Sequence, residues 1–122
     1  MVLEQKKKRF EKLLKINISD IICRKIKDPR IGFVTITRIA LSNDLRNAKV
    51  YVSILGTEEE QEKSMKGLYS ATNFVRTELA YILKNCRFIP AISFIYDREL
   101  EKIHQVMIKA AELAREDSDR EI

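Results

Sequence analysis

The sequence predicts a single α+β domain in the order α-β-β-α-β-α, with a three-stranded mixed sheet and helices packed on one face. Three features carry that expectation. Two β-branched runs lie next to each other, separated by a short segment in which Ser42-Asn43-Asp44 supplies turn chemistry. A long helix-period segment then separates them from a third apolar run, Phe88 to Tyr96, and a third amphipathic segment follows. At 122 residues there is room for one core and not for two of ordinary size.

From Leu3 to about Lys27, Phe10, Leu14, Ile18, Ile21 and Ile22 fall within one helical arc, with Lys8, Lys12 and Lys15 roughly opposite. Asp28-Pro29-Arg30 ends this first helix, because the residue before proline is pushed out of the α region and proline has no N–H for the ladder. Phe33 to Leu41 is the first strand, and its apolar phase slips by one near Arg38, the mark of a bulge. Ala48, Val50, Val52 and Ile54 alternate with Lys49, Tyr51 and Ser53, so the second strand should pair with the first as an antiparallel hairpin.

Thr57-Glu58-Glu59-Glu60 has capping-box spacing, with Thr57 able to cap an amide, Glu60 able to reach back, and three carboxylates favourable at a helix N-terminus. The second helix runs to about Lys84 with Met65, Leu68, Thr72, Val75, Leu79 and Ile82 as its buried stripe. Phe74 and Tyr81 lie off that stripe, so either the helix is buried widely or its phase changes at Ala71-Thr72-Asn73. Phe88 to Tyr96 is the third strand, with Pro90 at an edge or entry where a missing donor is tolerated. A crossover of this length returns it parallel to the second strand. Asp97 can cap a third helix to about Arg115, carrying Leu100, Ile103, Met107, Ala110 and Ala114 on one face. The domain is thus expected over 1–115, with 116–122 a flexible C-terminal tail.

Hydrophobic residues make up 45% of the chain and charged residues 34%, with three Gly and two Pro, which describes an ordered globular protein. No apolar run is long enough for a transmembrane helix, and the basic N-terminus has no h-region or cleavage site, so a cytoplasmic protein is expected. Cys23 and Cys86 are too far apart for a metal or redox motif and are expected as free thiols. Residues 1–55 hold 13 Lys+Arg against 5 Asp+Glu, and residues 56–122 hold 10 against 13, so +8 faces −3. A basic half beside an acidic half suits a polyanion on one face, although charge alone leaves membranes and acidic proteins open.

Lys27-Asp28-Pro29-Arg30-Ile31-Gly32, Val34-Thr35-Ile36-Thr37, Leu41-Ser42-Asn43-Asp44-Leu45 and Ala48-Lys49-Val50-Tyr51-Val52, together with Phe74 to Leu79 and Pro90 to Asp97, resemble ribosome-binding factor A over roughly residues 5 to 108. The resemblance implies a type II KH-like domain that binds the small ribosomal subunit during late 30S maturation and 16S rRNA processing, often in connection with growth in the cold. It implies no catalytic activity. Relatives replace the KH domain's GxxG loop with an Ala-x-Gly helix kink, which aligns here with Ala71-Thr72-Asn73, so asparagine stands at the glycine position. A kink that divides the second helix at Ala71-Thr72-Asn73 is expected, and since asparagine visits left-handed backbone more readily than most residues, positive φ at Asn73 is one way to form it.

The candidate RNA-binding residues are Lys8, Lys12, Arg24, Lys25, Lys27, Arg30, Asn73, Arg76 and Lys84. Arg24, Lys25, Lys27 and Arg30 gather where a helix end and a loop can present several cations together. The run Lys6-Lys7-Lys8-Arg9 reads first as a solvated helix face and only second as a phosphate contact, and Arg76 beside Glu78 reads equally as part of a surface ion-pair network. Asp28, Ser42 and Asp44 are expected to shape turns rather than to move protons. Phe33, Phe74, Phe88, Phe94 and Tyr96 are expected in the core, leaving Tyr51 as the exposed candidate for base stacking. His104 has no partner at catalytic spacing, the glutamates are explained by capping, and no P-loop is present, so neither a metal nor a cofactor is expected.

The expected partners are therefore the small ribosomal subunit and its rRNA, with no membrane and no small-molecule substrate, the chain acting as a monomer. The alternative is a protein-interaction adaptor using the open sheet face. A small RNA-processing hydrolase is the third reading, and it would require turnover of precursor RNA.

Overall fold

The computed structural model describes residues 2–86 and 89–120, and its elements follow the expected order. Helix α1 (Val2–Asp20) turns Leu14 and Ile18 fully into the core, with Phe10 packed at the edge. The expected continuation to Lys27 is replaced by a π-helical turn, Ile21–Lys25, closed by the Ile26 N–H on the Ile21 carbonyl at 3.2 Å. This wider turn buries Ile21 and Ile22 side by side and leaves Cys23, Arg24 and Lys25 in solvent.

Strand β1 (Val34–Leu41) pairs antiparallel with β2 (Asn47–Ile54), and β3 (Ala91–Tyr96) lies parallel to β2, giving the order β1-β2-β3. The bulge falls where the apolar phase slips. The register passes from Ile36↔Val52 to Arg38↔Tyr51, so Thr37 is the extra residue. Its hydroxyl donates to Asp97 Oδ2 at 2.6 Å, tying the bulge to the start of the next helix. Pro90 sits fully buried just before β3, where its missing N–H costs no ladder bond.

One sheet face supplies Ile36, Ile39, Leu41, Ala48, Val50, Val52, Ile54, Ile92 and Phe94 to a single core cluster with residues of α1, the π turn and helix α2 (Glu58–Ile82). The opposite face carries Thr35, Arg38, Lys49, Tyr51, Ser53, Ser93 and Ile95, and among the described residues no helix packs on it. Thr57 caps α2, its hydroxyl accepting from the Glu60 N–H at 3.3 Å. Glu60 Oε1 returns to that hydroxyl at 3.2 Å, so the acid supports the cap through the threonine side chain.

The expected kink at Ala71-Thr72-Asn73 is not found. Helix α2 is continuous across it, and Leu45 is the one described non-glycine residue with positive φ, so Asn73 is not left-handed. The two threonines fold their hydroxyls back onto the helix, Thr72 onto the Leu68 carbonyl (3.1 Å) and Thr77 onto that of Asn73 (2.9 Å), so neither competes with the ladder. Nor does the phase change, because Phe74 and Tyr81 lie in solvent at 42% and 76% exposure. Asn73 is then an ordinary exposed helical residue. Asn73→Ala should raise stability by roughly 0.5 kcal/mol and Asn73→Gly should lower it slightly, on helix propensity. Urea titrations giving the reverse order would restore the left-handed assignment.

Two further expectations change. Phe33 precedes β1 and is 80% exposed, and Phe74 is exposed as noted, so neither belongs to the core. Phe94 is buried and Tyr96 packs against the cluster, while Phe88 lies outside the described residues. Helix α3 (Arg98–Arg120) runs five residues past the expected Arg115, since Glu116-Asp117-Ser118-Asp119 contains no Gly or Pro to stop it. None of its described residues joins the core. Ile103, Val106, Met107 and Leu113 are exposed, so among the described residues the core side chains against the sheet come from α1, the π turn, α2 and Leu83; the side chains of Leu100 and His104 lie outside the described residues.

Candidate nucleic-acid interface

The chain between the π turn and β1 is short, basic and held firmly. Ile31 N–H donates to the Asp28 carbonyl at 3.0 Å, and Asp28 Oδ1 accepts the Arg30 N–H at 2.9 Å, closing the Pro29 turn. Helix α2 grips the turn from behind. Ser64, buried to 1% exposure, accepts from the Gly32 N–H (3.0 Å) and donates to the Arg30 carbonyl (3.1 Å). One helical turn on, Gly67 lets Ile31 approach so closely that a Cβ there would stand 2.6 Å from Ile31 Cγ1. Sequence reading missed this clamp, although a serine and a glycine three residues apart on a buried helical stripe were the available signal.

The π turn displays Arg24 and Lys25 on the surface, and the Pro29 turn that follows displays Lys27 and Arg30. Three of the four are paired with carboxylates: Arg24 Nε with Asp20 at 3.0 Å, Lys25 Nζ with Glu78 at 2.8 Å, and Arg30 Nη2 with Asp28 at 2.7 Å. All are solvent-screened surface pairs and individually weak, so a phosphate can displace or share the partner at little cost. Lys27 forms no ion pair among the described residues, and the same holds for Lys8, Lys12, Arg76 and Lys84, all of them exposed. The Lys25–Glu78 contact joins the π turn to α2, which carries Arg76; Lys84, expected within that helix, lies in the turn just past its Leu83 C-cap. Lys8 and Lys12 sit four residues apart on α1. Asn73 is exposed on α2.

Arg30 holds the Asp28 carboxyl below the usual carboxylate range, chiefly through its side-chain hydrogen bonds and then through its backbone N–H. The Ser42 hydroxyl, donating at 2.6 Å, does the same for Asp44, helped by the Arg46 N–H. Both carboxylates therefore shape turns, as expected from the sequence. A carboxyl depressed in the folded state contributes stability above its unfolded pKa, near 4, and loses it as pH falls through the folded value. Melting temperature should therefore fall as pH drops below about 4, and Asp44→Asn should flatten that fall. An unchanged pH profile in the variant would remove Asp44 from the account.

Among the described residues no group of three His, Cys, Asp or Glu could hold a metal ion, and Cys23 and Cys86 are free and exposed. No helix is long and apolar enough to cross a membrane. A cleft of about 650 Å³ between α2 and α3 is lined by charges of both signs, among them Glu58, Glu62, Lys66, Arg98 and Lys102. Tyr51 is half-buried and its ring is covered by Arg38, whose guanidinium carbon lies 3.9 Å from the ring centroid, so it is less free for stacking than the sequence suggested.

Comparison with known proteins fits this geometry. The sequence model of the family "Ribosome-binding factor A" matches residues 6–108. The chain is 45% identical over 120 residues to the ribosome-binding factor A of Halothermothrix orenii, covering 96% of each chain. To that of Dictyoglomus thermophilum it is 44% identical over 116 residues, covering 94% of this chain and 96% of the other. The crystal structure of ribosome-binding factor A from Thermus thermophilus superposes with a TM-score of 0.66 at 27% identity, over 75% of this chain and 96% of that one. A homology model of the Thermus thermophilus factor, as fitted into a cryo-electron-microscopy map of its 30S complex, matches with a TM-score of 0.59 at 26% identity, over 71% of this chain and 90% of that one. A matched region spanning most of the chain, and a β1-β2-β3 mixed sheet backed by two helices, show that this protein belongs to the ribosome-binding factor A family and has its KH-like fold of type II.

Proposed function

We propose that this protein is a non-catalytic assembly factor that binds the small ribosomal subunit through its rRNA and supports late 30S maturation and 16S rRNA processing. Family membership over residues 6–108 is the observation that carries the reading. It is supported by the Thermus thermophilus relative fitted in a 30S complex and by the clamped basic turn, which offers cations in a fixed arrangement. The factor acts as a cytoplasmic monomer and works by occupying immature rRNA, with Lys8, Lys12, Arg24, Lys25, Lys27, Arg30, Asn73, Arg76 and Lys84 as candidate contacts. Phosphate contacts fix its register and orientation on the RNA without reading base sequence. Support of growth in the cold follows if the rRNA it occupies otherwise folds slowly.

Sedimentation of the purified chain with mature and precursor small subunits tests the reading. Preferential association with precursors, without turnover of precursor RNA, is the expected outcome. Equal failure to associate with both would overturn it, and cleavage of the RNA by the purified chain would replace it with the hydrolase reading.

A further inference from the structure

The open face of the sheet carries a second arrangement suited to RNA, distinct from the basic turn. Leu55 N–H donates to the Phe33 carbonyl at 3.1 Å, which continues the β1–β2 pairing one residue beyond the strands. Val34 and Ile54 point toward the helices, so alternation places Phe33 and Leu55 on the open side, where they are 80% and 77% exposed. The Gly32 N–H just before Phe33 is held by Ser64, so this aromatic ring stands in solvent on a fixed backbone. Further along the same face, about 13 Å away at strand rise, the Arg38 guanidinium carbon lies 3.9 Å from the Tyr51 ring centroid, and Arg38 is exposed. Lys49 follows one row on, exposed and unpaired among the described residues.

We propose that this face is a platform for unpaired rRNA bases, with Phe33 and the Arg38–Tyr51 pair as two stacking stations and Lys49 as a phosphate contact. Aromatic rings and guanidinium planes on a β-sheet accept splayed bases whatever their sequence. Charge agrees, because the strands place Arg38 and Lys49 on this face and no Asp or Glu. Asp97, just past β3, is buried and accepts the Thr37 hydroxyl. A protein partner fits less well, since the exposed large apolar side chains of this face are Phe33 and Leu55 at one end, Ile95 beside Tyr51 is half-buried, and the rest is hydroxyl, cation and small side chain.

The inference rests on the rRNA-binding reading and adds a surface to it. Binding of a short oligouridylate and of the small subunit should be measured for the wild type, Phe33→Ala, Phe33→Tyr, Arg38→Ala and Lys49→Ala, with thermal melts to verify the fold. Phe33→Ala should weaken oligouridylate binding about fivefold or more, the low end for removal of one stacked base, with its salt dependence unchanged. Phe33→Tyr should keep the affinity. Lys49→Ala should make the log-affinity against log-salt slope shallower by about 0.7, and ultraviolet crosslinks should map to the Phe33 and Tyr51 peptides. Wild-type oligouridylate affinity in a folded Phe33→Ala variant would overturn the proposal. So would a Phe33→Ala defect on the small subunit when the wild type binds no single-stranded RNA, which would assign the face to a protein. If the wild type itself fails to bind the small subunit, the underlying functional reading falls first.

Discussion

Replacing Arg24, Lys25, Lys27 and Arg30 together by glutamine is expected to weaken small-subunit binding about tenfold or more. For every phosphate that these cations neutralise in the wild type, the log-affinity against log-salt slope should become shallower by about 0.7 to 0.9. Glutamine is the informative choice because glutamate would set like charges against Asp20, Glu78 and Asp28, whose present partners lie 2.7 to 3.0 Å away, and would disturb the turn itself. The ion pairs removed are exposed and individually weak, so the melting temperature should change little. The converse substitution sharpens the test. Glu78→Gln releases Lys25 from its 2.8 Å partner and should raise affinity modestly if Lys25 meets phosphate. Wild-type affinity in the four-residue variant would move the interface to the Arg76 and Lys84 side of α2 or to the sheet face.

Gly67→Val is expected to cost about 1–3 kcal/mol of stability, as overpacking of a closely fitted contact does. The new Cβ would stand 2.6 Å from Ile31 Cγ1 and 3.5 Å from Arg30 Cβ, so the side chains or the turn must shift. A gain in helix propensity offsets only part of this, because valine is β-branched. The effect should be double. Melting temperature falls by several degrees, and small-subunit affinity drops even well below the melt because the cations on the turn lose their positions. Ser64→Ala isolates the second component, leaving the Gly32 N–H and the Arg30 carbonyl without their shared hydroxyl. A stable Gly67→Val protein with full affinity would show that the clamp positions nothing.

Most of the fold is legible in the sequence because hydrophobic periodicity is strong where a single face is buried. The slip at Arg38 locates the bulge, the alternation in β2 sets the sheet face, and the Thr57 cap sets the start of α2. The failures have separate physical causes. The π turn inserts one residue into a helical repeat without changing composition, so Ile21 to Lys25 reads as ordinary helix. Asparagine at position 73 carries an analogy to a glycine kink, yet a residue in mid-helix, with Thr72 and Thr77 both bonded back to the ladder, has no reason to leave it. Hydrophobicity alone points Phe33 and the apolar residues of α3 inward, but it cannot say whether a neighbouring surface exists to receive them. At the site, the basic cluster is visible as charge. Its clamp by Ser64 and Gly67, and its carboxylate partners at Asp20 and Glu78, depend on contacts across the fold that no local pattern encodes.

The central claim is that this protein holds the small subunit mainly through rRNA phosphates. Its most direct test is the affinity of the wild-type chain for purified small subunits across a salt series. A linear fall of log affinity with log salt, with a slope equivalent to several released counterions, is the result the account predicts. An affinity that stays constant across the series would contradict it and identify the contact as an uncharged protein interface instead.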